Sequence, residues 1–446
     1  MNLVVGAIAS LLIFATLGWV AVSAVGGAAL TGRERLALAY PVGAVLLSVS
    51  IYSAAHVGVG FNRVNFAMLF GAETLALAVI AWWRHGGGAA RRPPASVTDR
   101  RVWLCAVLLL LIAVKVSFIV FELLRRPLIA WDTFSVWSLR AKLWTLRGGL
   151  LSPLDPLYAG SSVRQDYPPH VSLLQTWTAV WLGGWHDVLV NLPWGAYYVS
   201  ALGWMYAVIR RRRSPAWALG GACMLAGLPL FLSQTAIAGY ADVILGTHVL
   251  IAISATYLWA TEGAPGYALI ALLFTASLPF VKLEGLPLAV ACAGALLMQA
   301  PRLRRRGMRW AVLALAAAAG FAAVWSNDML RWMLTHAELH TEIIKPLLVS
   351  AFAMDNWHIL WALFFAVAVL RPRALWGTPL GWLLATILVS LVPFVYTFLL
   401  TDAARYAVQQ TASGRLLLGL APSVVLFVVL VSADAVADAR TAPPRR

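Results

Sequence analysis

The chain has 446 residues, of which 61% are hydrophobic and only 12% charged, and its mean hydropathy is +0.80. A soluble protein of this length cannot cover its surface with so few charges, so the solvent for most of the chain is lipid. The formal charge of +16 does not point to nucleic acid. Its clusters (Arg91-Arg92, Arg100-Arg101, Arg210 to Arg213, Arg302 to Arg309, Arg371 to Arg373, Arg445-Arg446) fall between apolar runs, the pattern of positive-inside topology.

In chain order, apolar runs predict spans over roughly 3–30, 36–57, 64–84, 102–125, 187–209, 215–233, 241–261, 266–283, 285–300, 309–330, 356–371, 375–400 and 415–433. The first run has no basic flank and no cleavage site, and reads as a retained span. Cys105, Cys223 and Cys292 lie inside apolar runs without metal-like spacing and read as packing residues. Placing the loop with Arg33 and Arg35 and the loop 84–101 in the cytoplasm puts the N-terminus outside, and residues 126–186 outside as well. The run 169–184 then decides the remaining topology. His170, Gln175, Thr176 and its short apolar length predict that it does not cross. The expectation is an all-α polytopic membrane protein of about thirteen spans with a cytoplasmic C-terminus. It divides into a three-span module with its cytoplasmic loop (1–101), a main transmembrane domain (102–433) containing an external block of juxtamembrane or re-entrant helices (126–186), and a cytoplasmic tail (434–446).

This topology gathers the chemically capable groups on the outer side. Asp132 either caps the helix beginning at Thr133 or presents a carboxylate at headgroup depth, able to act as a general base. Trp137, Ala141 and Trp144 recur at helical spacing as a stripe that can lie on the membrane interface, and Arg140 and Arg147 share another face suited to phosphate. Asp166-Tyr167-Pro168-Pro169-His170 reads as an extended turn launching a helix, with Tyr167 and His170 either surface polar groups or the acceptor side of a cavity. Asp242, after Gly239-Tyr240-Ala241, opens a span, where an acid suits the helix N-terminus and a charge is a candidate functional group.

Lys282 and Glu284 stand among Pro279, Gly285 and Pro287, which predict a broken helix lining a cavity. Two residues apart, they would point to different faces of a regular helix and pair poorly with each other, so Lys282 either pairs with Asp242 or Asp132, or faces a phosphate. Arg405 and Arg415 lie outside against the positive-inside pattern, and either snorkel or clamp a phosphate. His336 and His340, four apart, make a polar loop helix a better reading than a zinc site. Glu73 and Lys115 are intramembrane charges that can pair. No nucleotide-binding loop or common hydrolase motif occurs in a suitable context.

Taken together, an outer-loop Asp soon after a span, a Tyr-Pro-Pro turn, an acid after a Tyr at the next outer helix start and the segment Lys282-Leu283-Glu284-Gly285 resemble the GT-C superfamily of membrane glycosyltransferases. The likeness is nearest to its bacterial branch related to protein mannosyltransferases and lipid A aminoarabinose transferases, and it covers about residues 102–433. The resemblance implies a GT-C-like bundle in a bacterial inner membrane, with the active site on the periplasmic side. The implied reaction is an inverting transfer of a sugar from a polyprenyl-phosphate donor to a lipid, glycan or protein acceptor. On that pattern Asp132 is the general base or acceptor-orienting group, Asp242 the second catalytic carboxylate, and Lys282 and Arg415 serve the donor phosphate, while Tyr167, Pro168 and Pro169 form the turn that frames the acceptor cavity. From the local residues, Arg140 and Arg405 are added as candidates for the phosphate, and His170, Glu284 and Trp137 as candidates for the cavity. Asp132 lacks the adjacent second acid of several GT-C branches, and neither a divalent metal nor another cofactor is expected. Partners are the lipid-linked sugar, membrane lipids and the acceptor, with no nucleic acid. An O-antigen-ligase- or polymerase-like transferase of lipid-linked glycans and a lipid or solute transporter are the alternatives.

Overall fold

The computed structural model describes residues 2–26, 29–84, 101–152, 154–158, 163, 167–299, 331 and 335–441. Asp166, Arg91, Arg92, Arg100, the cluster Arg302 to Arg309, the expected span 309–330 and the last residues of the tail lie outside the described residues. The described chain is helical throughout. Twelve helices run from α1 to α12: α1 Leu3–Gly26, α2 Gly32–His56, α3 Arg63–Arg84, α4 Val102–Arg125, α5 Ser138–Arg147, α6 His170–Leu182, α7 Leu192–Arg210, α8 Pro215–Gly227, α9 Pro229–Ile237, α10 Asp242–Glu262, α11 Pro265–Val281 and α12 Gly285–Gln299. The principal helices after these are α13 Leu360–Leu370, α14 Pro379–Leu400, α15 Ser413–Leu418 and α16 Ala421–Thr441.

Among the described residues six helices (α1 to α4, α10 and α14) are long and apolar enough to cross a membrane, or seven spans if α8 and α9 count as one. That is the pattern of a helical membrane protein, while helix length and composition among the described residues give fewer spans than the expected thirteen or so. The difference has local causes. Leu228-Pro229 bends α8 against α9 by 60°, because proline removes a backbone donor and collides with the preceding turn. Where one expected span ends and the next begins, α11 stops at Val281 and α12 starts at Gly285, leaving two short apolar helices.

α10 is the central element, and every residue from Asp242 to Leu258 is buried. α3 and α4 lie at the opposite extreme, with few buried residues and rows of exposed large apolar side chains, as helices facing lipid should have. α1 and α2 cross with almost no gap: a Cβ on Gly18 would overlap the Ala39 carbonyl, and one on Gly43 would overlap that of Phe14. Such small-residue contacts draw helices together where lipid offers no hydrophobic drive between them. Both helices join one continuous core with α6, α7, α10 and α11.

The Glu262 end of α10 is tied by a buried ion network. Arg211 donates to Glu34 through Nε at 2.7 Å and Nη2 at 2.9 Å, and to Glu262 through Nη1 at 2.8 Å. Tyr267 donates its hydroxyl proton to Glu34 at 2.9 Å. Glu34 also completes the Thr31 capping box of α2, so one carboxylate holds α2, α7 and α11 together.

One expectation for 126–186 is refined and one is corrected. α6 is only 13 residues long, in keeping with a segment that does not cross, and all but one of its residues are buried, which fits an inserted helix better than one lying flat at the interface. Its Trp177 donates to the Ser10 carbonyl of α1 at 2.9 Å, and Arg63 of α3 donates to the Val180 and Trp181 carbonyls. The stripe Trp137, Ala141 and Trp144 is likewise buried, because α5 turns it toward the core. The exposed aromatics in this region are Trp131 and Phe134, whose rings meet edge to face at 5.3 Å.

Candidate active site

Asp132, Asp242, Lys282, Glu284 and Arg415 meet at the Asp242 end of α10. Arg415 donates from Nη1 to Asp132 at 2.7 Å and from Nε to Asp242 at 3.0 Å. Lys282 donates from Nζ to the other oxygen of Asp242 at 2.9 Å and lies 3.0 Å from Glu284. Asp132 and Arg415 are 283 positions apart in the chain, so only the tertiary fold brings them into contact.

Each member is delivered by a break in helical structure. Ahead of α10, Ala238 and Gly239 take positive φ values of 56° and 79°. This kinked loop is pinned on two sides: Thr133 donates to the Ala238 carbonyl at 3.2 Å, and Trp194 donates to the Tyr240 carbonyl at 2.8 Å. A side chain at Gly239 would collide with Thr133. The residue adjoining Asp132 is thereby locked to the loop that carries Asp242.

Lys282 sits in the gap between α11 and α12 with extended backbone, φ −155° and ψ 153°. Gly285 permits the tight return, since a Cβ there would overlap the Leu278 carbonyl. Lys282 and Glu284 therefore do pair, against the expectation from helical spacing. That expectation assumed a regular helix, and these residues lie in the break. Arg415 belongs to α15, which packs on α10 where Gly246 meets the Leu418 carbonyl with a Cβ-to-oxygen allowance of only 2.9 Å.

The network is graded in exposure. The Asp242 side chain is 1% exposed and that of Lys282 7%, whereas Arg415 is 22% and Asp132 41% exposed. Burial disfavours the Lys282 ammonium, and the Asp242 and Glu284 carboxylates beside it offset that cost. Arg415 lies over the Tyr240 ring, 4.2 Å from its centroid, a cation–π seat that fixes the guanidinium plane. Asp132 makes no capping hydrogen bond to the helical segment Thr133–Trp137. The capping reading of Asp132 therefore fails, and its carboxylate is engaged by Arg415 instead.

The other candidates separate from this cluster. Arg140 is buried and donates to the Tyr167 carbonyl at 2.6 Å, the Pro168 carbonyl at 2.6 Å and Ser172 at 3.0 Å. It clamps the Tyr-Pro-Pro turn, and its expected phosphate role is corrected. Trp137 is buried with its ring edge-to-face on Tyr167 at 5.0 Å. It packs behind the turn. Tyr167 itself is half-buried. Arg405 is exposed and stacks on its neighbour Tyr406, donating to that hydroxyl at 3.0 Å. His336 and His340 contact Thr335 and Glu342 respectively, each in its own direction, and the segment after His336 is not helical. Glu73 and Lys115 do not form an ion pair with each other. Among the described residues no group of three His, Cys, Asp or Glu could hold a metal ion.

His170 is fully buried and starts a polar chain. Ser277 donates to the Phe274 carbonyl at 2.8 Å, so its oxygen accepts from His248 Nδ1 at 2.9 Å. His248 Nε2 then accepts from the Tyr197 hydroxyl at 3.1 Å, and that oxygen accepts from His170 Nε2 at 3.0 Å. Burial pushes the pKa of His170 down to about 3, so the ring is neutral, with its proton on the Nε2 that donates to Tyr197. Sequence reasoning passed over His248 and Tyr197, and noted Tyr240 only as the neighbour of Asp242 with no contact assigned to it. An ionisable residue within a span, such as His248, was the available signal.

In comparison with known proteins, the chain matches no family model, and neither a characterised protein nor a solved structure matches it.

Proposed function

We propose that this chain is an integral-membrane glycosyltransferase that moves a sugar from a polyprenyl-phosphate donor to an acceptor hydroxyl at the outer face of the membrane. The observation that carries the reading is the network itself: a half-exposed carboxylate, Asp132, bonded to an arginine whose other edge rests on a buried Asp242–Lys282 pair. Asp132 takes the proton from the acceptor hydroxyl as its oxygen bonds to the anomeric carbon. The bond from that carbon to the phosphate oxygen breaks, and the polyprenyl phosphate leaves with the electron pair. Arg415, backed by Lys282, supplies positive charge where negative charge develops. Trp131 and Phe134, exposed beside Asp132, suit headgroup depth, where a lipid-linked donor presents its phosphate. The order of motifs supports the same reading through its resemblance to GT-C enzymes, with a bacterial inner membrane and a periplasmic site.

The test is incubation of the purified protein in nanodiscs with a panel of radiolabelled polyprenyl-phosphate sugars and candidate acceptors. Wild type should transfer label from one donor, and Asp132→Asn should lose the transfer while retaining its fold. Full transfer by the variant would remove Asp132 as the base. No donor bound or consumed would end the reading.

A second reading, a lipid or solute transporter, draws on the ion network at the opposite end of the same buried helix, where Arg211 joins Glu34 and Glu262. The same panel separates the two, because a transporter returns its labelled substrate unbroken.

A further inference from the structure

We propose that Asp132 occupies, on Arg415, the place that the donor phosphate takes, so that donor binding itself frees the carboxylate to act as base. This rests on the glycosyltransferase reading and assigns an order to its steps.

Three carboxylates (Asp132, Asp242, Glu284) face two cations (Lys282, Arg415) in the network, so it carries one net negative charge at rest. An anionic phosphate approaching the cluster is repelled unless one carboxylate withdraws. Asp242 is held in place: it is buried, and its two oxygens satisfy Lys282 and Arg415 separately. Moving it would strand a buried ammonium, a change far costlier than breaking an exposed pair. Glu284 is part-exposed but bonds Lys282, which lies deeper than Arg415.

Asp132 is the carboxylate able to leave. It is the most exposed of the three, its carboxylate accepts from Arg415 Nη1, and it has no capping bond to its own helix. Arg415 stays aimed when Asp132 departs, because Nε remains on Asp242 and the guanidinium remains seated on Tyr240. Its freed Nη edge then presents two N–H groups, the planar fork that matches phosphate oxygens. The proton and bond changes are those given above. The exchange adds only that the base is masked until the leaving group is in place, which guards against hydrolysis of an empty or half-filled site.

The experiment titrates a C55 polyprenyl monophosphate into the nanodisc-embedded protein by calorimetry, comparing wild type, Asp132→Asn and Glu284→Gln. Both variants remove one negative charge from the same cluster, but only the first removes a competitor from Arg415. The expected result is binding about fivefold tighter in Asp132→Asn, the scale of one lost surface ion pair, with a change under about twofold in Glu284→Gln. Unchanged or weaker binding in Asp132→Asn overturns the exchange and leaves the glycosyltransferase reading standing. Equal tightening in both variants overturns it too, since that is charge alone. Failure of both wild type and Asp132→Asn to bind the lipid phosphate overturns the exchange and the reading together.

Discussion

Asp242→Asn should be among the most destabilising single changes in this protein, and Lys282→Met should partly rescue it. Asp242 is 1% and Lys282 7% exposed at the side chain, and they are joined at 2.9 Å. Neutralising the acid leaves a buried ammonium facing an amide, with only part-exposed Glu284 to compensate. Stranding one partner of a buried pair costs about 3–5 kcal/mol, and the lower figure applies here because Glu284 and the Asn carbonyl oxygen remain. Lys282→Met alone should cost less, about 1–2 kcal/mol, because Asp242 keeps Arg415. The double variant carries no stranded charge, so its loss should fall short of the sum by about 2 kcal/mol. The assay is a double-mutant cycle on reversible unfolding in mixed micelles, followed by circular dichroism. Additivity within about 0.5 kcal/mol would refute the claim that the two groups form one electrostatic unit.

Further outcomes follow from individual contacts. Asp132→Asn should lower stability by less than about 1 kcal/mol, since the acid is 41% exposed, so a large loss on unfolding would contradict its position at the rim. His170 has a folded pKa of about 3, below its ordinary 6.5, so the folded state resists protonation and stability is lost as pH falls below 6.5 toward 3. His170→Gln should remove up to about 1.4 kcal/mol per pH unit of that acid slope, and unfolding midpoints between pH 4 and 7 that keep the wild-type slope would exclude a buried neutral histidine. Gly239→Ala combines a positive φ of 79° with a collision against Thr133, and should cost about 1–3 kcal/mol in the same unfolding assay. Arg140→Lys keeps the charge but cannot reproduce three directed donations to Tyr167, Pro168 and Ser172. It should lower the melting temperature while leaving lipid-phosphate affinity within about twofold. A selective loss of affinity without a stability change would return Arg140 to the phosphate.

The sequence by itself determined that the chain lives in lipid, since its apolar content leaves no other solvent, and it marked Asp132, Asp242, Lys282, Glu284 and Arg415 as charges too costly to sit idle near a membrane. It also marked the break at 282–285, because proline and glycine act locally and are legible locally. Only the tertiary structure decided which of these charges meet. Arg140 and Arg415 look alike in one dimension, yet one faces backbone carbonyls and the other two carboxylates. Helical spacing at Trp137, Ala141 and Trp144 reveals that a shared apolar face exists. In a membrane protein it does not say whether lipid or another helix covers that face, because both are equally apolar. Pairing over 283 positions depends on how helices stack, and stacking is fixed by close approaches at glycines such as Gly18, Gly43 and Gly246, whose partners are invisible in the linear chain.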